Sequence, residues 1–256
     1  MKIAAIQNEL HWHDAQANFR SFEHELQHLV NDVDLVVLPE MFSTGFTMKP
    51  EQLEENVGTI TLQWMQRMAA NFKIILVGST AFFDGQLWSN RAFVVHADGS
   101  YNYYNKRHGF SLSSEEKVYQ NGGERIQEKA KDFIICPMIC YDLRFPVWSR
   151  NKKPFYDLLI YMANWPIYRI SAWNDLLKAR AIENMCYVIG VNRTGTDKNG
   201  WEYNGSSAVY DPLGTQLSFL NQDQISCTVD IDRTYLNQIR SELGFLNDAD
   251  SFEINF

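Results

Sequence analysis

The chain has 256 residues, a formal net charge of -8, 45% hydrophobic residues and 14% aromatic residues. This length and composition suit one globular domain with a filled core and exclude a disordered chain. The acidic balance, without a basic stripe, argues against nucleic acid as a partner, and any acidic ligand would need local cations.

Residues 3–6 read as a buried strand. Residues 16–30 follow with Phe19, Phe22, Leu26, Leu29 and Val30 at helical spacing. Next come a strand over 34–39, a helix over 61–71 and a strand over 73–79. Residues 91–96 and 101–104 flank Ala97-Asp98-Gly99-Ser100, a hairpin signal. In the second half, 133–139, 157–162 and 187–191 read as strands. Residues 171–185 form a helix carrying Trp173, Leu176 and Leu177. Strands over 206–210 and 225–229 close the sheet, with Asp211-Pro212-Leu213-Gly214 as a turn between them. Strands separated by helices imply a layered α/β fold, while the hairpins imply some antiparallel pairing. Two sheets face to face with helices outside satisfy both. No linker, internal sequence repeat or low-complexity stretch divides residues 1–256, so a single domain is expected.

Four cysteines in this length do not make a disulfide scaffold. The start goes straight into a strand-like run without a long apolar stretch, and no run approaches the ~20 apolar residues of a membrane span. A reducing cytoplasm is the expected compartment, and no membrane partner is expected.

Three residues draw attention by position. Cys140 ends the apolar run 133–139, Glu40 ends the run 35–39, and Lys106 follows the strand 101–104. Active sites of α/β folds gather at the carboxyl ends of strands. Each residue alone has a plainer reading: a buried structural thiol, a solvated loop acid, an ordinary surface cation. Together they offer a nucleophile, a general base, and a cation able to lower a thiol pKa and meet an oxyanion. Cys136, Cys186 and Cys227 sit inside apolar runs and read as structural. There is no G-x-S-x-G elbow for a serine nucleophile. His11-x-His13 lacks companions at ligand spacing, so no metal and no cofactor are expected.

The segments Leu38-Pro39-Glu40-Met41-Phe42, Tyr104-Asn105-Lys106-Arg107-His108 and Ile139-Cys140-Tyr141-Asp142-Leu143-Arg144-Phe145-Pro146 resemble, in order and spacing, the three active-site motifs of the nitrilase superfamily. Ala163-Asn164-Trp165-Pro166 and Ala179-Arg180-Ala181-Ile182-Glu183-Asn184 resemble further landmarks of it. The resemblance covers essentially the whole chain. It implies a four-layer α-β-β-α sandwich, a Glu40-Lys106-Cys140 triad and pairing into a homodimer. It also implies a second glutamate seven positions before a glycine turn; Glu115 ahead of Gly122 fits, and Glu116 is one residue off. The stretch Glu40-Met41-Phe42-Ser43-Thr44-Gly45-Phe46 is most similar to the omega-amidase branch, whose members hydrolyse the terminal amide of 2-oxo-glutaramate and 2-oxo-succinamate.

Such a substrate is a small amide with a distant carboxylate. Arg144 and Arg169 are the candidate cations for it, with Arg144 alternatively a partner of Asp142. Trp165 and Phe46 are candidate pocket walls, and the Tyr141 backbone N–H is a candidate oxyanion donor. The aromatic-rich tail 245–256 is a candidate to cross a dimer interface. Two other functions remain open at this stage: an amidase of the same superfamily for a different amide, such as a deaminated peptide or carbamoyl compound, and a catalytically silent binding protein on the same fold.

Overall fold

The computed structural model describes residues 1–29 and 33–254. Val30, expected at the end of the first helix, and Phe256 lie outside the described residues. The first half runs β1 (Lys2–Ile6), α1 (Ala15–His28), β2 (Leu35–Val37), α2 (Val57–Phe72), β3 (Ile75–Phe83), β4 (Trp88–Val95) and β5 (Tyr101–Asn105). The second runs β6 (Glu128–Ala130), β7 (Phe133–Ile139), α3 (Pro146–Ser149), β8 (Leu158–Met162), α4 (Ile170–Asn184) and β9 (Tyr187–Val191). It ends with β10 (Thr194–Thr196), β11 (Glu202–Asn204), β12 (Ala208–Tyr210), β13 (Gln216–Phe219), β14 (Ser226–Asp230) and α5 (Arg233–Leu243).

Two six-stranded sheets have the orders β14-β1-β2-β3-β4-β5 and β13-β12-β9-β8-β7-β6. In the first, β1, β2 and β3 are parallel. They are flanked by antiparallel β14 on one side and the β3–β4–β5 meander on the other. The second repeats the pattern, with parallel β7, β8 and β9 between antiparallel β6 and the β12–β13 pair. The architecture is therefore repeated although the sequence is not. A shared topology needs only a shared hydrophobic pattern, not shared residues.

Strand alternation builds the layers. Ile3, Ala5, Leu35, Val37, Val77 and Val94 join a core with Ile135, Met138 and Leu158 of the second sheet. The intervening Ala4, Ile6, Val36, Leu76 and Phe93 face Phe19, Phe22 and Leu26 of α1 and Trp64, Met65 and Met68 of α2. Trp64 is 1% exposed, and its truncation to Ala is expected to cost about 3–5 kcal/mol. With α4 packed on β9 and β12, the expected four layers are present.

Three local expectations need correction. The strands expected over 206–210 and 225–229 do not close one sheet: β12 lies in the second sheet and β14 in the first, and residues 211–214 turn β12 into β13, a strand that was not anticipated. The helix expected over 61–71 begins at Val57, four residues earlier. Gly58 is a poor helix former, but a Cβ there would stand 2.6 Å from the Phe82 ring, so the glycine allows α2 to lie close on β3. Helix α5 was not anticipated, because only Leu236 and Ile239 of its 11 residues are buried. It is held by charge: Arg240 donates to Asp157 Oδ1 at 2.7 Å and Arg233 pairs with Asp157 Oδ2. Asp14 caps α1 by accepting from Ala17 N at 2.9 Å, as a helix start requires.

Candidate active site

Glu40 follows β2, Lys106 follows β5 and Cys140 follows β7, so all three leave the sandwich at strand ends. Glu115 lies in a single 3-10 turn, Glu115–Lys117. Cys140 has φ 45° and opens the 3-10 turn Cys140–Arg144. A non-glycine residue in this left-handed region stores roughly 1–2 kcal/mol, and it persists only where its surroundings impose it. The change from extended to left-handed backbone lifts the thiol out of the sheet.

The side chains converge. Lys106 Nζ donates to Glu40 Oε1 at 2.8 Å and to Glu115 Oε2 at 2.8 Å. Asn90 Nδ2 donates to the same two carboxylates, at 2.8 Å to Glu40 and 3.2 Å to Glu115. The second Glu40 oxygen accepts the Asn164 backbone N–H at 2.9 Å. Glu115 Oε2 also accepts the Phe110 N–H at 2.7 Å. Glu40, Lys106 and Glu115 are all buried, and Glu116 is exposed. The register ambiguity between the two adjacent acids is thus resolved in favour of Glu115 as the residue in the network. Gly122 N donates to Lys106 O at 2.8 Å. A Cβ at Gly122 would stand 2.1 Å from Asn105 O, so only glycine permits this approach.

The electrostatics follow from burial. Burial alone depresses the Lys106 ammonium, but the Glu115 and Glu40 carboxylates outweigh it and hold its pKa above the ordinary lysine value. Burial raises the Glu115 carboxyl, which the Lys106 charge offsets only in part. Burial, then the Glu40 charge, pushes the Cys140 thiol well up, against the pull of Lys106. Lys106 lowers the thiol pKa, as expected of a cation beside it, but burial and the Glu40 charge outweigh it. Burial thus favours the protonated form of Cys140.

Cys140 opens onto a cavity of about 490 Å³. Its lining includes every residue expected to contact substrate: Phe46, Tyr141, Arg144, Trp165 and Arg169. Tyr141 is the second residue of the 3-10 turn, where backbone N–H groups lack an intrahelical acceptor. Arg144 does not pair with Asp142, whose oxygens are taken by Tyr104, His108 and Ile139. The Arg144 guanidinium instead lies 4.9 Å from the Trp165 ring centroid. Arg169 sits among aromatic rings, 5.0 Å from Phe110 and 5.4 Å from Trp201. Trp165, 2% exposed, is wall and core at once, since its ring also meets Trp173 at 5.5 Å.

A profile of the carbon-nitrogen hydrolase family matches residues 2–241. The omega-amidase YafV of Escherichia coli (strain K12) is 37% identical over 255 residues, covering 99% of this chain and 98% of that protein. The 2-oxoglutaramate amidase of Bacillus subtilis (strain 168) is 27% identical over 250 residues, covering 96% of each. The crystal structure of XC1258 from Xanthomonas campestris, a CN-hydrolase superfamily protein, superposes with a TM-score of 0.95 at 36% identity, covering 100% of this chain and 99% of that one. The chain belongs to the carbon-nitrogen hydrolase family.

Several parts of this hydrolase's site escaped the sequence reading. Asn90 lies within β4, where a fully buried amide in an apolar strand is the signal that something polar faces it. Asn164 stood in a recognised landmark but had no role assigned; its backbone N–H and side chain both hold Glu40. The β10–β11 hairpin brings Lys198, Asn199 and Trp201 to the cavity, and its Asp197-Lys198-Asn199-Gly200 turn was readable in the sequence. Among the described residues, no group of three or more His, Cys, Asp or Glu side chains is arranged to hold a metal ion.

Proposed function

We propose that this hydrolase is an omega-amidase. It releases ammonia from the terminal amide of 2-oxo-glutaramate or 2-oxo-succinamate and leaves the 2-oxo diacid. The observation that carries the reading is a cavity with Cys140 at one wall and two guanidinium groups, Arg144 and Arg169, at others. Among the described residues neither arginine has a carboxylate partner. A substrate with an amide at one end and a carboxylate at the other satisfies both features, and the relatives named above as omega-amidase and 2-oxoglutaramate amidase support the choice.

Cys140 is the nucleophile and Glu40 the general base. The thiol proton passes to Glu40 as Sγ attacks the amide carbon. The Lys106 ammonium, with the Tyr141 N–H, meets the oxyanion; one such donor is worth about 2.7–4 kcal/mol of barrier. Glu40 then gives its proton to the nitrogen, the C–N bond breaks and ammonia leaves a thioester on Cys140. Water, deprotonated by Glu40, cleaves the thioester and the thiol is restored. Glu115 holds Lys106 in place. Phe46 and Trp165 wall the substrate chain.

Ammonia release from a panel of small amides tests the reading. Turnover of 2-oxo-glutaramate far above glutamine and simple aliphatic amides supports it. Turnover confined to other amides replaces it with the broader amidase reading.

A further inference from the structure

Cys140 and Lys106 sit on separate segments; among the described residues no hydrogen bond joins them directly, and their side chains meet only through Asn164 and Glu40. The Asp142 carboxylate ties their backbones together. It is fully buried and takes four donors. Oδ2 accepts the Ile139 N–H at 3.0 Å and the Tyr104 hydroxyl at 2.7 Å. Oδ1 accepts the His108 backbone N–H at 3.0 Å and stands 2.8 Å from His108 Nδ1, which carries its hydrogen toward an acceptor-only carboxylate. Ile139 immediately precedes the strained Cys140. Tyr104 and His108 bracket Lys106 at two residues on either side. The His108 ring also stacks on Phe145, at the end of the nucleophile's turn, with 3.6 Å between ring centroids.

We propose that Asp142 is a positioning residue for the nucleophile. With His108 and Tyr104 it clamps the Cys140 turn to the Lys106 segment and maintains the left-handed backbone of Cys140. This rests on the reading of Cys140 as nucleophile and Lys106 as its cation. The energetic logic is direct. A left-handed cysteine relaxes toward extended backbone unless its neighbours are tied. A buried carboxylate with four donors is a strong tie, and its loss leaves those donors unsatisfied. Asn at 142 keeps the shape but puts an N–H2 group against donors. His108→Asn keeps a donor near the Nδ1 position, whereas His108→Ala removes it.

The test measures kcat, KM and the rate of Cys140 alkylation by iodoacetamide for Asp142→Asn, His108→Ala, His108→Asn and Tyr104→Phe. Each is assayed at a temperature where circular dichroism shows it folded. Asp142→Asn is expected to lower kcat by about 10- to 100-fold, the scale of a small misplacement of reacting groups. KM should hardly move, and alkylation should slow along with kcat. His108→Asn should recover most of what His108→Ala loses. A purely structural Asp142 would lower thermal stability while leaving kcat and alkylation at wild-type rates in the folded variant, and that result overturns the proposal. If Asp142→Asn does not fold, the two His108 variants decide: equal activity in both overturns it. Cys140→Ala separates the two readings. An active Cys140→Ala defeats the nucleophile assignment itself, whereas an inactive one beside fully active Asp142→Asn defeats only the clamp.

Discussion

The Lys106 ammonium lies 2.8 Å from Glu40 Oε1, and both groups are closed off from solvent. A buried base paired to a buried cation is costly to break from either side, since the remaining partner keeps its charge without compensation. Glu40→Gln and Lys106→Ala are each expected to lower turnover at least about a hundredfold, the size of general-base and oxyanion contributions. Iodoacetamide labelling of Cys140 should also slow in Lys106→Ala, because removing the cation raises the thiol further. Unchanged labelling would separate Lys106 from the nucleophile.

Cys140→Ala should abolish ammonia release while circular dichroism reports an intact fold. Cys136 is the internal control. Burial holds its thiol up at about 12, and it packs within the core, so Cys136→Ala should leave turnover nearly unchanged.

Glu115 and Glu116 give a paired comparison. Glu115→Gln removes a carboxylate bonded to Lys106, whereas Glu116 is exposed. The first should lower kcat strongly, and Glu116→Gln should match the wild type in the same ammonia assay. The reverse order would shift the second glutamate by one residue.

The pH dependence carries a definite sign. The raised Cys140 pKa keeps the thiol protonated to higher pH, and the raised Lys106 pKa keeps the ammonium charged there. A profile of kcat/KM should therefore show no alkaline fall centred near the ordinary thiol value of about 8.5. Glu115 is raised too, so its protonation begins above the ordinary glutamate value, and activity should decline on the acid side from there. A midpoint near 8.5 on the alkaline side would contradict the burial argument.

For assembly, a homodimer is expected, with the tail 245–256 a candidate at its interface. Within the chain, Lys152 Nζ donates to Phe252 O at 2.7 Å, while Phe245 remains 57% exposed. Light scattering should give twice the 29.8 kDa chain mass, and the single-chain mass would count against pairing.

Much of this architecture was readable because two physical signals repeat along the chain. Apolar runs such as 35–39 and 133–139 mark buried strands, and a polar residue at the end of each marks the site. Glu40 and Cys140 follow that rule; Lys106 instead follows the largely exposed strand β5, and was found with them because it too lies just after a strand. Glu115 breaks the rule, sitting in a short turn; the spacing to Gly122 favoured it over Glu116, and its burial and its bonds to Lys106 place it in the network. Asn90 was hidden inside β4, since which face of a strand meets a site is a tertiary fact. Helix α5 was hidden because its anchor is the buried Asp157 more than 70 residues earlier, not its own periodicity. The two arginines of the cavity were named but could not be ranked, and both line it.

Arg144→Ala and Arg169→Ala should be compared side by side in steady state. The variant that loses the carboxylate contact should raise KM far more than it lowers kcat, as expected for a contact of equal strength in ground and transition states. Unaltered KM for 2-oxo-glutaramate in both would remove the carboxylate role from this pair.

The most direct measurement is the ratio of kcat/KM for 2-oxo-glutaramate to that for glutamine. The two differ only in carrying an oxo group or an ammonium beside the same carboxylate. A site shaped for a neutral carbonyl leaves the ammonium poorly solvated. The omega-amidase reading predicts a much higher value for 2-oxo-glutaramate. Equal values for the two substrates would contradict it.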